Sequence, residues 1–176
     1  MMTTTDQPIC PQVAGLPVAL RPISNADLPF LRRVYASTRA DELALVDWSD
    51  EQKDAFVSMQ FNAQHAYYQE HYRGASFDLI LLDGQPVGRL YLARWEDQIR
   101  IVDIALLPEY RSRGIGTAFL QAILAEGQRA GLPVTIHVER YNPALRLYQR
   151  LGFQVAADKG VYLLMKWTPG AQPYAG

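Results

Sequence analysis

The stretch PEYRSRGIGTAFL, Pro108–Leu120, lies between an apolar run, IRIVDIALL, and a long amphipathic segment. Within that segment Ile115, Ala118, Phe119, Ala122 and Ile123 recur at the i, i+3, i+4, i+7, i+8 spacing, which predicts a helix. Gly131 and Pro133 stop it. Gly114 and Gly116 then fall at the helix start. The first N–H groups of a helix have no intrahelical partner, and the helix dipole adds partial positive charge there. An anion placed at that point accepts several N–H bonds. Glycine permits close approach of the backbone and positive φ, while Arg111 and Arg113 add full charges. The stretch therefore reads as a strand, a turn and a helix built to hold an anion, phosphates first among them. A helix start with a solvated basic turn is the competing reading of these residues taken alone. A P-loop is excluded, because Thr117–Ala118 follow Gly116 where Lys and Ser or Thr would stand. A dinucleotide fingerprint needs a third glycine and an early βαβ position.

Working outward, VTIHVE alternates as a strand, with Val134, Ile136 and Val138 on one face and Thr135, His137 and Glu139 on the other. NPALRLYQRL predicts a short helix ended by Gly152, and VYLLMKW a last strand. On the N-terminal side, PVALRPI predicts a first strand, with Pro22 at an edge or end. A helix follows, capped by Asn25 or Asp27, with Leu28, Leu31, Val34 and Tyr35 as its apolar face. Ser49 and Gln52 form a capping box. The helix it opens runs to about Tyr72, with Phe56, Met59, Ala63, Ala66 and Tyr67 on one face. FDLILLD and PVGRLYLAR, joined at Gly84–Gln85, form a hairpin, and RWEDQ turns into the next strand. The element order implies an α/β (α+β) fold with a central mixed sheet.

Composition narrows the function. The chain has 176 residues, 49% hydrophobic and 20% charged, with net charge −1, which suits one globular domain with a sizeable core. No overall basic field points to nucleic acid. The lone cysteine, Cys10, excludes a disulfide framework and Cys/His zinc sites. No apolar run reaches membrane-spanning length, and MMTTTDQPICPQVAG lacks the basic and apolar regions of a secretory signal. A cytoplasmic location is expected. Residues 1–16 and 169–176 are expected to be tails around a single domain, 17–168.

RSRGIG resembles the [QR]-x-x-G-x-G/A signature of the GCN5-related N-acetyltransferase (GNAT) family. LLPEYRSRGIGTAFL is similar to the core that joins the family's fourth strand to its third helix. NPALRLYQRLGF, with Asn142, Leu147–Tyr148 and Gly152–Phe153, resembles its segment after the fifth strand. The likeness covers about residues 18–167, with the motifs in the family's order. It implies a GNAT-like, mostly antiparallel sheet flanked by helices, with the fourth and fifth strands splayed. It also implies acetyl-coenzyme A (acetyl-CoA) as acyl donor and a primary amine of a small molecule or peptide as acceptor. The resemblance puts the pyrophosphate on the main chain of Arg111, Ser112, Arg113, Gly114, Ile115, Gly116 and Thr117. It puts the pantetheine arm along Ile104, Ala105 and Leu106, and gives Asn142 a cofactor contact.

Tyr148 matches the family's tyrosine in the LYxxLGF position. A phenol, with pKa about 10, is protonated at neutral pH and can give its proton to a departing thiolate. Asp103 and Glu139 are the candidate bases, beside a water relay of the kind found in the family. His137 could relay a proton, although a satisfied strand histidine is the simpler reading. His65, Tyr67, Tyr68, Glu70, His71 and Tyr72 offer an acceptor wall; His65 and His71 are wrongly spaced for a metal pair, and no metal is expected. Neither a nucleic-acid nor a membrane partner is expected. Homodimers are common in the family. An acyl-CoA-binding sensor without turnover, and an interaction protein whose glycine turn is only a helix start, are the alternatives.

Overall fold

The computed structural model describes residues 11–13 and 15–173, with the Gln12 side chain left out. Residues 1–10 and 174–176, most of the expected tails, lie outside the described residues. Seven main strands are present: β1 (Leu16–Pro22), β2 (Ser76–Leu82), β3 (Gln85–Arg94), β4 (Ile99–Leu106), β5 (Val134–Glu139), β6 (Gln154–Lys159) and β7 (Tyr162–Trp167). The helices are α1 (Leu28–Ala44), α2 (Asp50–His71), α3 (Ile115–Ala130) and α4 (Leu145–Arg150). The strands lie side by side in the order β1, β2, β3, β4, β5, β7, β6, and the two-residue strand Gln12–Val13 adds to the β1 edge. Every pairing is antiparallel except β4 with β5. This is the expected mixed sheet. At the other end, Gly170 N–H donates to Gln128 Oε1 at 2.7 Å, and Ala171 packs against the core.

The sheet carries a core on each face. Phe119 and Ile123 of α3, fully buried, pack with Leu90, Ile101, Val134 and Met165. Burying a side chain of that size contributes about 1.5–3 kcal/mol. Leu31, Tyr35, Val57, Phe61 and Leu79 form a second cluster, between α1, α2 and β2. Gly127 lets α3 sit close on β5: a Cβ there would lie 2.9 Å from Leu132 O and 3.0 Å from Val134 Cγ2.

Four local expectations need correction. The turn of the β2–β3 hairpin is Asp83–Gly84 rather than Gly84–Gln85; both residues have positive φ, 49° and 77°, as a two-residue hairpin turn requires. Of the two caps expected for α1, Asp27 does stand at the N-cap but makes no side-chain cap bond to the helix, and Asn25 opens a short 3₁₀ turn, Asn25–Asp27, whose own N-cap is Ser24. Helix α2 begins at the Ser49–Gln52 box as expected, but its inward stripe is Val57, Phe61 and Tyr68, while Met59 and Tyr67 face solvent. The stripe carries polar Gln60 and Gln64, which bond Tyr35 and Arg89 beneath the helix, so the apolar pattern pointed to the wrong face. Strand β6 was unforeseen, because five of its six residues are exposed and little hydrophobic alternation marks it.

Among the described residues, no helix is long and apolar enough to cross a membrane.

Candidate functional site

The parallel β4–β5 pairing is short. It runs only from Ile99 opposite Val134 to Ile101 opposite Ile136, although β4 continues to Leu106 and β5 to Glu139. The cause lies in β4. Its register with β3 shifts between Tyr91 and Leu92, so Val102 is an extra residue. A bulge bends the strand that carries it, and beyond Val102 the two strands part. Leu107 N–H donates to Val87 O at 2.9 Å. Main-chain groups alternate in direction along a strand, so those of Ile104 and Leu106 turn away from β3, into the gap. Leu106 lies opposite Gly88 of β3. A Cβ on Gly88 would come within 2.3 Å of Ala105 O, so only glycine fits under this part of β4.

The gap opens into a cavity of about 210 Å³ lined by Asp103, Ile104 and Ala105 from β4, His137 and Glu139 from β5, Asn142, Tyr148 and Tyr162. Helices α1 and α2 close its other side with Tyr35, Arg39, Gln64 and Tyr68. Tyr148 is 6% exposed and its ring meets Phe153 edge-on at 5.7 Å. Burial, and secondarily the charge of Asp103, raises its pKa above that of an ordinary phenol, so it keeps its proton at neutral pH.

Asp103 is tied to its neighbours. Its Oδ2 accepts from Arg89 Nη2 at 2.8 Å and from the Tyr68 hydroxyl at 3.2 Å. The Arg89 side chain is 3% exposed, and its Nη2 also donates to Gln64 Oε1 at 2.9 Å. Burial, with the Asp103 charge second, raises the Tyr68 pKa, so this phenol too stays protonated. Glu139 stands nearer solvent, with 38% side-chain exposure, and accepts from Arg39 Nη1 at 3.3 Å. Asn142 Oδ1 accepts from Ala144 N–H at 2.9 Å, holding the turn into α4. His137 Nδ1 lies 3.3 Å from Arg100 Nη1. A guanidinium only donates, so Nδ1 accepts and the proton of the neutral ring sits on Nε2. Burial first, then the charges of Arg100 and Lys159, lower the His137 pKa and keep it neutral.

The glycine turn sits just past the end of β4. Gly114 is the N-cap of α3 with φ 85°, and no side chain caps the helix. Ala118 N–H is the first to reach back, to Gly114 O at 3.0 Å. The N–H groups of Ile115, Gly116 and Thr117 therefore stand at an uncapped, electropositive helix start. Gly116 has ordinary helical backbone, and a Cβ on it would meet nothing of the protein nearer than Leu106 Cδ1 at 3.8 Å. The fold itself does not require glycine there; a ligand approaching the backbone would. Ser112 also takes positive φ, 58°. The two arginines are engaged within the protein. Arg111 Nε donates to Leu106 O at 3.0 Å and its Nη2 to Ser37 Oγ at 3.2 Å, while Arg113 lies over the Tyr110 ring at 5.4 Å.

The split strand edges border the cavity, and the uncapped helix start follows β4 through the turn at 107–113, so one end of β4 carries the whole arrangement. It offers extended main-chain groups for a ligand with amides, then helix N–H groups for an anion. Among the described residues no cluster of His, Cys, Asp and Glu could hold a metal ion. Sequence reasoning missed the Arg89 clamp on Asp103. A signal was present, since Arg89 is the one charge within the otherwise apolar PVGRLYLA, 86–93.

The acetyltransferase (GNAT) family matches residues 38–153 of this chain. The chain belongs to the GNAT acetyltransferase family. An N-alpha-acetyltransferase of Sulfurisphaera tokodaii is 29% identical over 115 residues, which cover 56% of this GNAT chain and 69% of that protein. The PaiA N-acetyltransferase of Thermoplasma acidophilum, solved in complex with coenzyme A, superposes with a TM-score of 0.64 at 20% identity, over 86% of this chain and 98% of that one. The ribosomal-protein-S18-alanine N-acetyltransferase of Escherichia coli gives 0.57 at 18% identity, over 90% and 98%. At such identities the two structures show the shared fold. Acetyl transfer is the chemistry of the GNAT family, and acetyl-CoA its acyl donor.

Proposed function

We propose that this chain moves an acetyl group from acetyl-CoA to a primary amine of a small molecule or peptide, by direct attack of the amine on the thioester. The observation that carries the reading is the cavity at the β4–β5 split, which puts Tyr148, Glu139 and the free edge of β4 around one space. Ile104 and Leu106 offer main-chain groups to the pantetheine amides, as an added strand would use them. The N–H groups of Ile115–Thr117 receive the pyrophosphate. Bound there, acetyl-CoA supplies an activated acyl carbon and a thiolate leaving group.

Tyr148 gives its proton to the departing sulfur as the C–S bond breaks and the C–N bond forms. Glu139, directly or through a water, takes the proton that the amine loses. Asp103 is the less suitable base. A proton on it would leave the Arg89 guanidinium buried without its counter-charge, which is costly. Its bond from Tyr68 instead ties α2 to β4 and sets the acceptor side of the cavity. The N-alpha-acetyltransferase relative favours peptide N-termini among the acceptors.

The test is coenzyme A thiol release from acetyl-CoA with a panel of polyamines, amino acids, aminoglycosides and peptides with free N-termini. Turnover with one acceptor class is the expected result. Stabilisation by acetyl-CoA without turnover on any amine would favour an acyl-CoA-binding module instead.

A further inference from the structure

The sheet surface next to the cavity carries cations that the chemistry above leaves unused. Glu139 lies opposite Tyr162, and Tyr162 opposite Lys159, so all of them share the acceptor-side face of β5, β7 and β6. Further along, Arg100 lies opposite Thr135 and Thr135 opposite Lys166 on that same face. The other face of β7 is buried, through Leu163, Met165 and Trp167. Lys159 and Lys166 are exposed, and Arg100 is half-buried.

Arg100 is held by neutral groups. Its Nε donates to Thr135 Oγ1 at 2.8 Å, a terminal nitrogen meets His137 Nδ1 at 3.3 Å, and the guanidinium lies 5.3 Å over the Trp95 ring. Among the described residues no carboxylate pairs with Arg100, Lys159 or Lys166. The acids near the cavity are committed, Asp103 to Arg89 and Glu139 to Arg39. The fields of Arg100 and Lys159 converge on His137, midway along the surface. A row of cations without counter-charge beside a half-open cavity is complementary to an anionic partner.

We propose that this face of β4, β5, β6 and β7 docks the acidic side chains of a peptide acceptor whose N-terminal amine lies in the cavity. The proposal rests on acetyl transfer to an amine and narrows the acceptor to peptides with Asp or Glu soon after the first residue. Strand geometry sets the span. At about 3.3 Å per residue, His137 lies about 7 Å and Thr135 about 13 Å from Glu139 along β5. An extended peptide leaving the cavity covers that distance with its second to fourth residues, and Arg100, Lys159 and Lys166 are placed to meet carboxylates there.

The test measures binding and turnover separately. Two hexapeptides with the same free N-terminal residue and a C-terminal fluorophore, one with Glu and one with Lys at positions two to four, are titrated by anisotropy in the presence of coenzyme A. The acidic peptide is expected to bind at least about tenfold tighter at low salt, with the preference shrinking as ionic strength rises. Lys159→Glu with Lys166→Glu, both at exposed positions, is expected to remove most of that preference, and Arg100→Gln to weaken it further. The acetyl-CoA thermal shift of these variants should match wild type. Equal affinity for the two peptides, or an acidic preference untouched by the charge reversals, overturns the proposal. If no amine is acetylated while the acidic preference and its loss are seen, the transfer reading fails and the docking face stands. If an amine is acetylated but both peptides bind alike, the docking face fails and the transfer reading stands.

Discussion

Gly116 tests whether a glycine serves the fold or the proposed ligand. Its backbone is helical, and an added Cβ would meet only Leu106 Cδ1, at an ordinary 3.8 Å. Gly116→Val should therefore leave the unliganded protein within about 1 kcal/mol of wild type, since valine is no worse a helix former than glycine. In the proposed binding mode, the same Cβ and its methyls would occupy the space from which the pyrophosphate reaches the N–H groups of Gly116 and Thr117. Losing one hydrogen bond to a charged group costs about 1.5–3 kcal/mol, which raises Kd for coenzyme A about 10- to 150-fold. Gly114→Val is the contrast. With φ at 85°, a β-branched residue there is strained by about 1–3 kcal/mol, so this variant should melt lower even without ligand. Titration calorimetry with coenzyme A, alongside chemical denaturation of the unliganded protein, reads both quantities. Wild-type affinity in Gly116→Val would show that the turn does not cradle the pyrophosphate.

Further outcomes follow from the acceptor side of the cavity. Asp103→Asn leaves the Arg89 guanidinium, 3% exposed, without its counter-charge and should cost about 3 kcal/mol in urea denaturation; a loss below about 1 kcal/mol would mean that the pair does not hold the sheet to α2. Burial is the main cause raising the pKa of Tyr68, Tyr91 and Tyr148. Above about pH 10 the unfolded chain releases phenolic protons that the fold retains, so stability should fall as pH rises through that point. Tyr148→Phe should make the fall shallower, and a stability that rises there contradicts the assignment. The same variant should lower kcat toward an identified acceptor by about 100-fold, with coenzyme A affinity nearly unchanged.

The elements nearest the donor side were the most legible in the sequence. Helix α3 shows its period because one side of it packs on the sheet through Ile115, Phe119 and Ile123, and glycine marks both of its ends. The acceptor side hid itself for a related reason. Helix α2 lies over a polar cavity, so Gln60, Gln64 and Tyr68 point inward and exposed Met59 and Tyr67 imitate a core face. The Arg89–Asp103 pair joins neighbouring strands. Each is a charge among apolar neighbours, in VGRLYLA and IVDIALL, but their meeting depends on the bulge at Val102, which no residue type announces. Strand β6 is an exposed edge and carries almost no hydrophobic alternation. The turn arginines could be placed in sequence but not aimed, because Arg111 turns back to Leu106 O and Ser37.

A crystal structure with coenzyme A tests the central claim most directly. The account predicts the pantetheine arm between β4 and β5, its amides bonded to the main chain of Ile104 and Leu106. It also predicts the pyrophosphate on the N–H groups of Ile115–Thr117 and the sulfur facing Tyr148. Coenzyme A bound away from the β4–β5 split, or a sulfur out of reach of the Tyr148 hydroxyl, would contradict it.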